Sequence, residues 1–318
     1  MRVLAWVHLY PPDHCAGAEM MLHEILLGLQ ERGHEVRVMC NASSASEFEG
    51  VPITVQDNRE SLDLINWSDV IITHLDKTPL VVQAVRNRRP LVHLVHNHRQ
   101  LDYHRVSPKY AQLVVANSEW IRDAIRWPGE VIVVPPPVRP ERYAVLRDEH
   151  RITLINLCED KGGKVFWEIV RRMPDRKFLG VIGGYYAQIV PDKIPSNAEV
   201  VEHTPEIRSV YARTRLLLCP SFYESWGRVG IEAAASGIPT IAAPTPGLME
   251  SLGASGTFMD IADIDGWVAA IREFDDPEVY RERSAAALKR SAELQPDPYL
   301  DLLDDRMTRL AGVWSQRQ

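Results

Sequence analysis

A chain of 318 residues has room for two domains of roughly 150 residues each. Its 45% hydrophobic and 25% charged residues are ordinary globular usage, which argues against disorder or a fibrous repeat, and no internal repeat is present in the sequence. The net charge of −7 is uneven: residues 77–142 hold 11 Lys/Arg against 5 Asp/Glu, a local +6 that leaves −13 elsewhere.

In chain order, Arg2–Leu9 reads as a buried strand. It is too short for a secretory leader, and Pro11-Pro12-Asp13 follows without a small-residue cleavage site. Ala18–Arg32 carries Met21, Leu22, Ile25, Leu26 and Leu29 at helical spacing, and Gly33 closes it where a left-handed cap is easiest. Strand-like runs follow at Glu35–Cys40, Val70–Thr73, Leu91–His96, Leu113–Ala116 and Val131–Val134. The pattern predicts helices over about 79–88 and 118–127, the second with Ser118 as N-cap and Glu119 in its first turn. Val134-Pro135-Pro136-Pro137-Val138-Arg139-Pro140 suits neither a helix nor a central strand, so it marks a domain boundary.

The alternation then restarts. Strands are predicted at Ile152–Leu157, Phe178–Ile182, Glu199–Val201, Arg215–Cys219, Pro239–Ala242 and Thr257–Met259. Helices are predicted over 163–172, 206–213, 229–236, 263–274, 277–293 and 299–315. Such alternation predicts two Rossmann-like, doubly wound α/β domains facing a central cleft at the carboxyl ends of their strands. The expected division is 1–137, then 138–298, with a C-terminal helix in 299–318 packing back toward the first domain. Apolar runs such as Val70–Ile72 and Leu216–Cys219 are strand-sized, far short of the roughly 18 residues that span a bilayer. Cys15, Cys40, Cys158 and Cys219 have no paired spacing, which suits reduced thiols and a cytoplasmic location.

The densest chemistry lies in Pro220–Pro239, where a predicted strand turns into a helix. A helix start aims free N–H groups at a bound anion such as a diphosphate, and Gly227 and Gly230 let backbone approach it. Glu232, near the helix start, can accept bonds from ribose hydroxyls, and Glu224 can reach another part of the same ligand. His93, His96, His98 and His104 show neither Cys–His pairing nor His-Glu-x-x-His spacing, so no metal site is expected. Asp263-Ile264-Asp265 opens a late helix, where an N-cap is the plainer use.

Glu224-x7-Glu232, framed by Pro220-Ser221 and Ala235-Ser236-Gly237-Ile238-Pro239, resembles the signature of family 4 glycosyltransferases of GT-B architecture. Gly17-Ala18-Glu19 is similar to the family's glycine-rich first loop, and His96 to its active-site histidine. Lys161-Gly162 is similar to its phosphate-binding lysine, and Pro246-Gly247-Leu248 to the late loop that closes on the donor. The resemblance implies a retaining transferase that takes a nucleotide-sugar, UDP-linked by preference, without metal or other cofactor. It implies His96 and Glu224 as catalytic residues. Gly17, Lys161, Arg228, Glu232, Gly227, Gly247 and Leu248 are then the donor-binding set. Asn156 departs from the pattern, because the family has an arginine there; Lys164 or Arg228 could replace that cation.

The family places its acceptor site in the first domain, where the basic segment lies. His98, Arg99 and Tyr103 follow His96 in a polar, aromatic loop suited to an anionic acceptor: a small molecule, a polysaccharide, or a modified base in nucleic acid. Overall acidity counts against nucleic acid, whose binding would be steeply salt-dependent. Two other classes fit the same cleft: a nucleotide-sugar epimerase and a non-catalytic nucleotide-sugar-binding protein.

Overall fold

The structure, a computed structural model, describes residues 1–85, 88–98, 111–147 and 151–316, without the side chains of 58–60. The chain forms two compact units, Met1–Pro137 with Pro296–Gln318, and Val138–Gln295.

In the first unit the strands are β1 (Arg2–Trp6), β2 (Glu35–Cys40), β3 (Glu47–Phe48), β4 (Val51–Val55), β5 (Val70–His74), β6 (Leu91–Val95), β7 (Leu113–Ala116) and β8 (Val131–Val133). They build one sheet in the order β3-β4-β2-β1-β5-β6-β7-β8, parallel except for the β3–β4 pair. Among the described residues it also holds helices α1 (Gly17–Glu31), α2 (Asn58–Trp67), α3 (Thr78–Val85) and α4 (Glu119–Ile125), with the C-terminal helix Asp297–Ser315. Alternate side chains of a strand serve opposite faces. Thus Val3 and Ala5 pack with Met21, Leu22, Ile25 and Leu26 of α1 and with Leu300, Leu303 and Met307 of the C-terminal helix. Leu4 and Trp6 pack instead with Ile65, Val81 and Val85 from α2 and α3. The short β3–β4 hairpin and α2 carried too little apolar pattern to be expected from sequence.

The second unit holds α5 (Pro140–Tyr143), β9 (Arg151–Ile155), α6 (Gly163–Arg172), β10 (Lys177–Val181), β11 (Ala198–Val201), α7 (Arg208–Tyr211) and β12 (Thr214–Cys219). It continues with α8 (Arg228–Ala234), β13 (Thr240–Ala242), α9 (Pro246–Leu252), β14 (Thr257–Phe258), α10 (Ile264–Glu273) and α11 (Pro277–Glu293). Its wholly parallel sheet runs β11-β10-β9-β12-β13-β14. Helix α9 was unexpected; Thr245 caps it, accepting from Leu248 N at 3.4 Å. Asp263 caps α10, accepting from Gly266 N at 2.8 Å, so the Asp-Ile-Asp run is a helix start. Among the described residues no helix is long and apolar enough to cross a membrane.

Each sheet reverses its winding once. In the first unit the chain steps outward from β1 to β2 and β4, then restarts on the other side at β5; in the second it reverses between β9 and β12. Loops leaving neighbouring strands diverge at such a point and open a crevice at the strands' carboxyl ends.

Candidate functional site

At the reversal of the second unit, the loop after β9 carries Lys161 and the loop after β12 carries Glu224. Lys161 Nζ lies 2.5 Å from Glu224 Oε1, and Ser221 Oγ donates to that oxygen at 3.1 Å. Lys161 keeps 31% of its side chain exposed and Glu224 13%, so the pair is sheltered but reachable. Burial alone would lower the Lys161 pKa; the adjacent Glu224 carboxylate outweighs that and raises it. Lysine is therefore a firm cation here.

These loops touch backbone to backbone. Gly162, at φ +84°, sits where a Cβ would come within 2.1 Å of the Pro220 carbonyl oxygen, and a Cβ on Gly247 would meet the Glu224 carbonyl oxygen at 2.4 Å. Glycine at both positions lets two loops and the first turn of α9 share one small volume. Leu248 is fully buried, with its side chain against Gly227.

Glu232 lies one helical turn after Arg228 on the same face of α8. Arg228 Nε donates to Glu232 Oε1 at 2.5 Å, and its Nη2 donates to the Tyr143 hydroxyl at 2.5 Å. The Tyr211 hydroxyl donates to Glu232 Oε2 at 2.7 Å. Arg228, expected beside a phosphate, is thus turned inward and only 6% exposed at its side chain. The other suggested replacement, Lys164, pairs with Glu159 in an exposed contact.

Asn156 itself has a local task. It adopts φ +72°, a left-handed conformation that asparagine tolerates better than arginine. Its Oδ1 accepts from Cys158 N and from Gln188 Nε2, both at 3.1 Å. Gln188 Oε1 accepts in turn from Gly183 N at 2.9 Å. The residue that breaks the family pattern therefore braces the loop after β10.

In the first unit, Gly17 opens α1, and a Cβ there would meet nothing within 4 Å. His96 follows β6, and its Nε2 lies 2.9 Å from Nδ1 of His74 at the end of neighbouring β5. Burial lowers the pKa of His96 to about 4 and that of His74 well below its ordinary value. His93 points into the core, 3.3 Å from the Thr78 hydroxyl. His98 lies beside Trp120, ring centroids 5.8 Å apart. Arg99 and Tyr103 lie outside the described residues. Sequence reading missed His74, although a histidine closing the strand predicted before that of His96 was visible. Among the described residues no three His, Cys, Asp or Glu side chains group closely enough to hold a metal ion.

The chain is similar to known proteins in sequence and in fold. Residues 16–142 match the Glycosyltransferase Family 4 profile and residues 152–275 the Glycosyl transferases group 1 profile. A D-inositol 3-phosphate glycosyltransferase of Thermobispora bispora is 36% identical over 91 residues, 28% of this chain and 21% of that protein. A glycogen synthase of Mycobacterium tuberculosis is 36% identical over 93 residues, 28% of this chain and 22% of its own. The matched stretch thus spans about a fifth of these curated relatives. Among solved structures, Anabaena HepE in complex with UDP-glucose superposes with TM-score 0.78 at 18% identity, covering 98% of this chain and 100% of its own. The catalytic domain of Arabidopsis thaliana starch synthase IV, bound to ADP and acarbose, gives 0.74 at 12% identity over 98% of this chain and 99% of its own. At such identities the likeness is one of fold.

Proposed function

The chain belongs to the group 1 glycosyltransferases of GT-B architecture, and from that membership we propose that it moves a sugar from a nucleotide-sugar, UDP-linked by preference, to a hydroxyl acceptor with retention and without a metal ion. The observation that carries this reading is the Lys161–Glu224 pair at the reversal of the second sheet, beside the Gly162 and Gly247 approaches. A diphosphate bound there meets a firm cation, and its sugar meets a carboxylate that can orient hydroxyls.

In the proposed step the bond from the anomeric carbon to the diphosphate oxygen breaks, and its electron pair leaves with the nucleoside diphosphate. The acceptor oxygen bonds to the anomeric carbon from the same face. Its proton passes to the departing phosphate oxygen. Lys161 stabilises the charge that grows on that phosphate; Glu232 holds the ribose. His96 and Gly17 are the first unit's candidates for the reacting sugar and the phosphates, and His98 for the acceptor side. The basic segment of residues 77–142 favours an anionic acceptor.

A non-catalytic nucleotide-sugar-binding protein is the second reading, and Asn156 in place of a phosphate-binding arginine favours it. Incubation with UDP-, GDP- and ADP-sugars in the presence of a chelator, beside Glu232→Ala, separates the two. Nucleotide release from one donor, absent in the variant, supports transfer. Tight nucleotide binding with no release, even across an acceptor screen, supports the binder. A donor returned with an altered sugar and no acceptor product would instead mark an epimerase.

A further inference from the structure

Glu232 is a carboxylate almost without water. Its side chain is 9% exposed, and that of Arg228 6%. A polar group so enclosed is tolerated only where charge and hydrogen bonds replace its hydration. Arg228 of α8 and Tyr211 at the end of α7 supply them, and Tyr143 of α5, just after the proline connector, holds Arg228 by accepting from its Nη2. Burial and the Glu232 charge push the Tyr211 pKa well above its ordinary value, so that hydroxyl keeps its proton and donates.

A carboxylate offers about four acceptor positions, two on each oxygen. Arg228 takes one on Oε1 and Tyr211 one on Oε2. One lone pair then remains on each oxygen, the pattern that two adjacent hydroxyls require. Without its donors the carboxylate could rotate about its last torsion, which is broad and twofold.

We propose that Tyr211, Arg228 and Tyr143 are positioning residues that aim the two remaining acceptor sites of Glu232 at the 2′- and 3′-hydroxyls of the donor's ribose, making the site selective for ribonucleotides over 2′-deoxyribonucleotides. This rests on the proposed role of Glu232 as the ribose ligand. Arg228 then acts through Glu232 and touches no phosphate.

The test is titration calorimetry with UDP, GDP and ADP and with their 2′-deoxy forms, on the wild-type chain, Tyr211→Phe and Tyr143→Phe. Each phenylalanine keeps the ring's bulk and removes only the hydroxyl, and thermal unfolding checks that both variants fold. Wild type is expected to favour the ribose form of its preferred nucleotide by about tenfold or more. In Tyr211→Phe that ratio is expected to fall about fivefold, through weaker binding of the ribose form. A merely structural clamp would weaken both forms together. A folded Tyr211→Phe with an unchanged ratio overturns the inference and leaves the donor site standing. A wild-type chain that binds a nucleotide without ribose preference, or binds none of the three, overturns the donor reading and this inference with it.

Discussion

Nδ1 of His74 and Nε2 of His96 face each other at 2.9 Å across the ends of two paired strands, so a single proton lies between two neutral rings. Whichever ring donates fixes the tautomer of the other, and so decides whether Nδ1 of His96 donates or accepts elsewhere. His74→Phe is expected to lower kcat roughly tenfold with little change in donor KM, the scale of one lost buried hydrogen bond. Steady-state kinetics checks it, and an unchanged kcat would place His74 outside the reaction.

The same pair sets a pH dependence. His96 titrates at about 4 in the folded chain against an ordinary 6.5, and His74 also lies well below its ordinary value. Between those limits the unfolded chain binds protons that the folded pair refuses. Stability from this source is therefore full above about pH 6.5 and is lost as pH falls toward 4. The melting temperature of wild type should drop more between pH 7.5 and 5 than that of a His74→Phe/His96→Phe double variant. Equal drops would assign the acid sensitivity to other groups.

Lys161→Met should lower kcat/KM by about 10²–10³-fold, the usual cost of removing one preorganised stabiliser of transition-state charge. It also leaves the sheltered Glu224 without its cation, so Glu224→Gln in the same background should restore thermal stability but not turnover. Near-normal turnover in Lys161→Met would remove that residue from the phosphate role.

Two glycines are expected to separate folding from function. Gly162→Ala puts a Cβ within 2.1 Å of a backbone oxygen at φ +84° and should cost roughly 2–4 kcal/mol. Gly17→Ala meets nothing within 4 Å and should leave stability unchanged or slightly raised. If backbone approach at Gly17 serves the donor, its alanine variant will fold normally yet turn over slowly. Denaturant unfolding beside nucleotide release reads both.

Packing rather than charge should hold the C-terminal helix. Leu303 is fully buried in the first unit's core, so Leu303→Ala should cost about 2–5 kcal/mol. Asp301 meets Arg32 at 2.6 Å but is 71% exposed, so Asp301→Asn should cost less than about 1 kcal/mol. Comparable losses from both variants would contradict that ranking.

Much of this protein was legible in one dimension because the signals were local. Strands buried on both faces read as apolar runs, α1 showed its helical period, and three prolines marked a break beside the boundary between the two units. Family membership was legible because Lys161, Glu224 and Glu232 stand in a fixed frame of glycines and prolines. What sequence did not reveal depends on partners far along the chain. His74 meets His96 across 22 positions and Tyr143 meets Arg228 across 85, through pairings that only the strand order creates. Arg228 reads in sequence only as a cation, and the fold sets its Nε against Glu232. Asn156 reads as a missing charge until its left-handed backbone and its bond to Gln188 show what it supports. Periodicity and spacing determine which residues are buried and where a loop must turn; tertiary structure decides which buried polar groups satisfy one another.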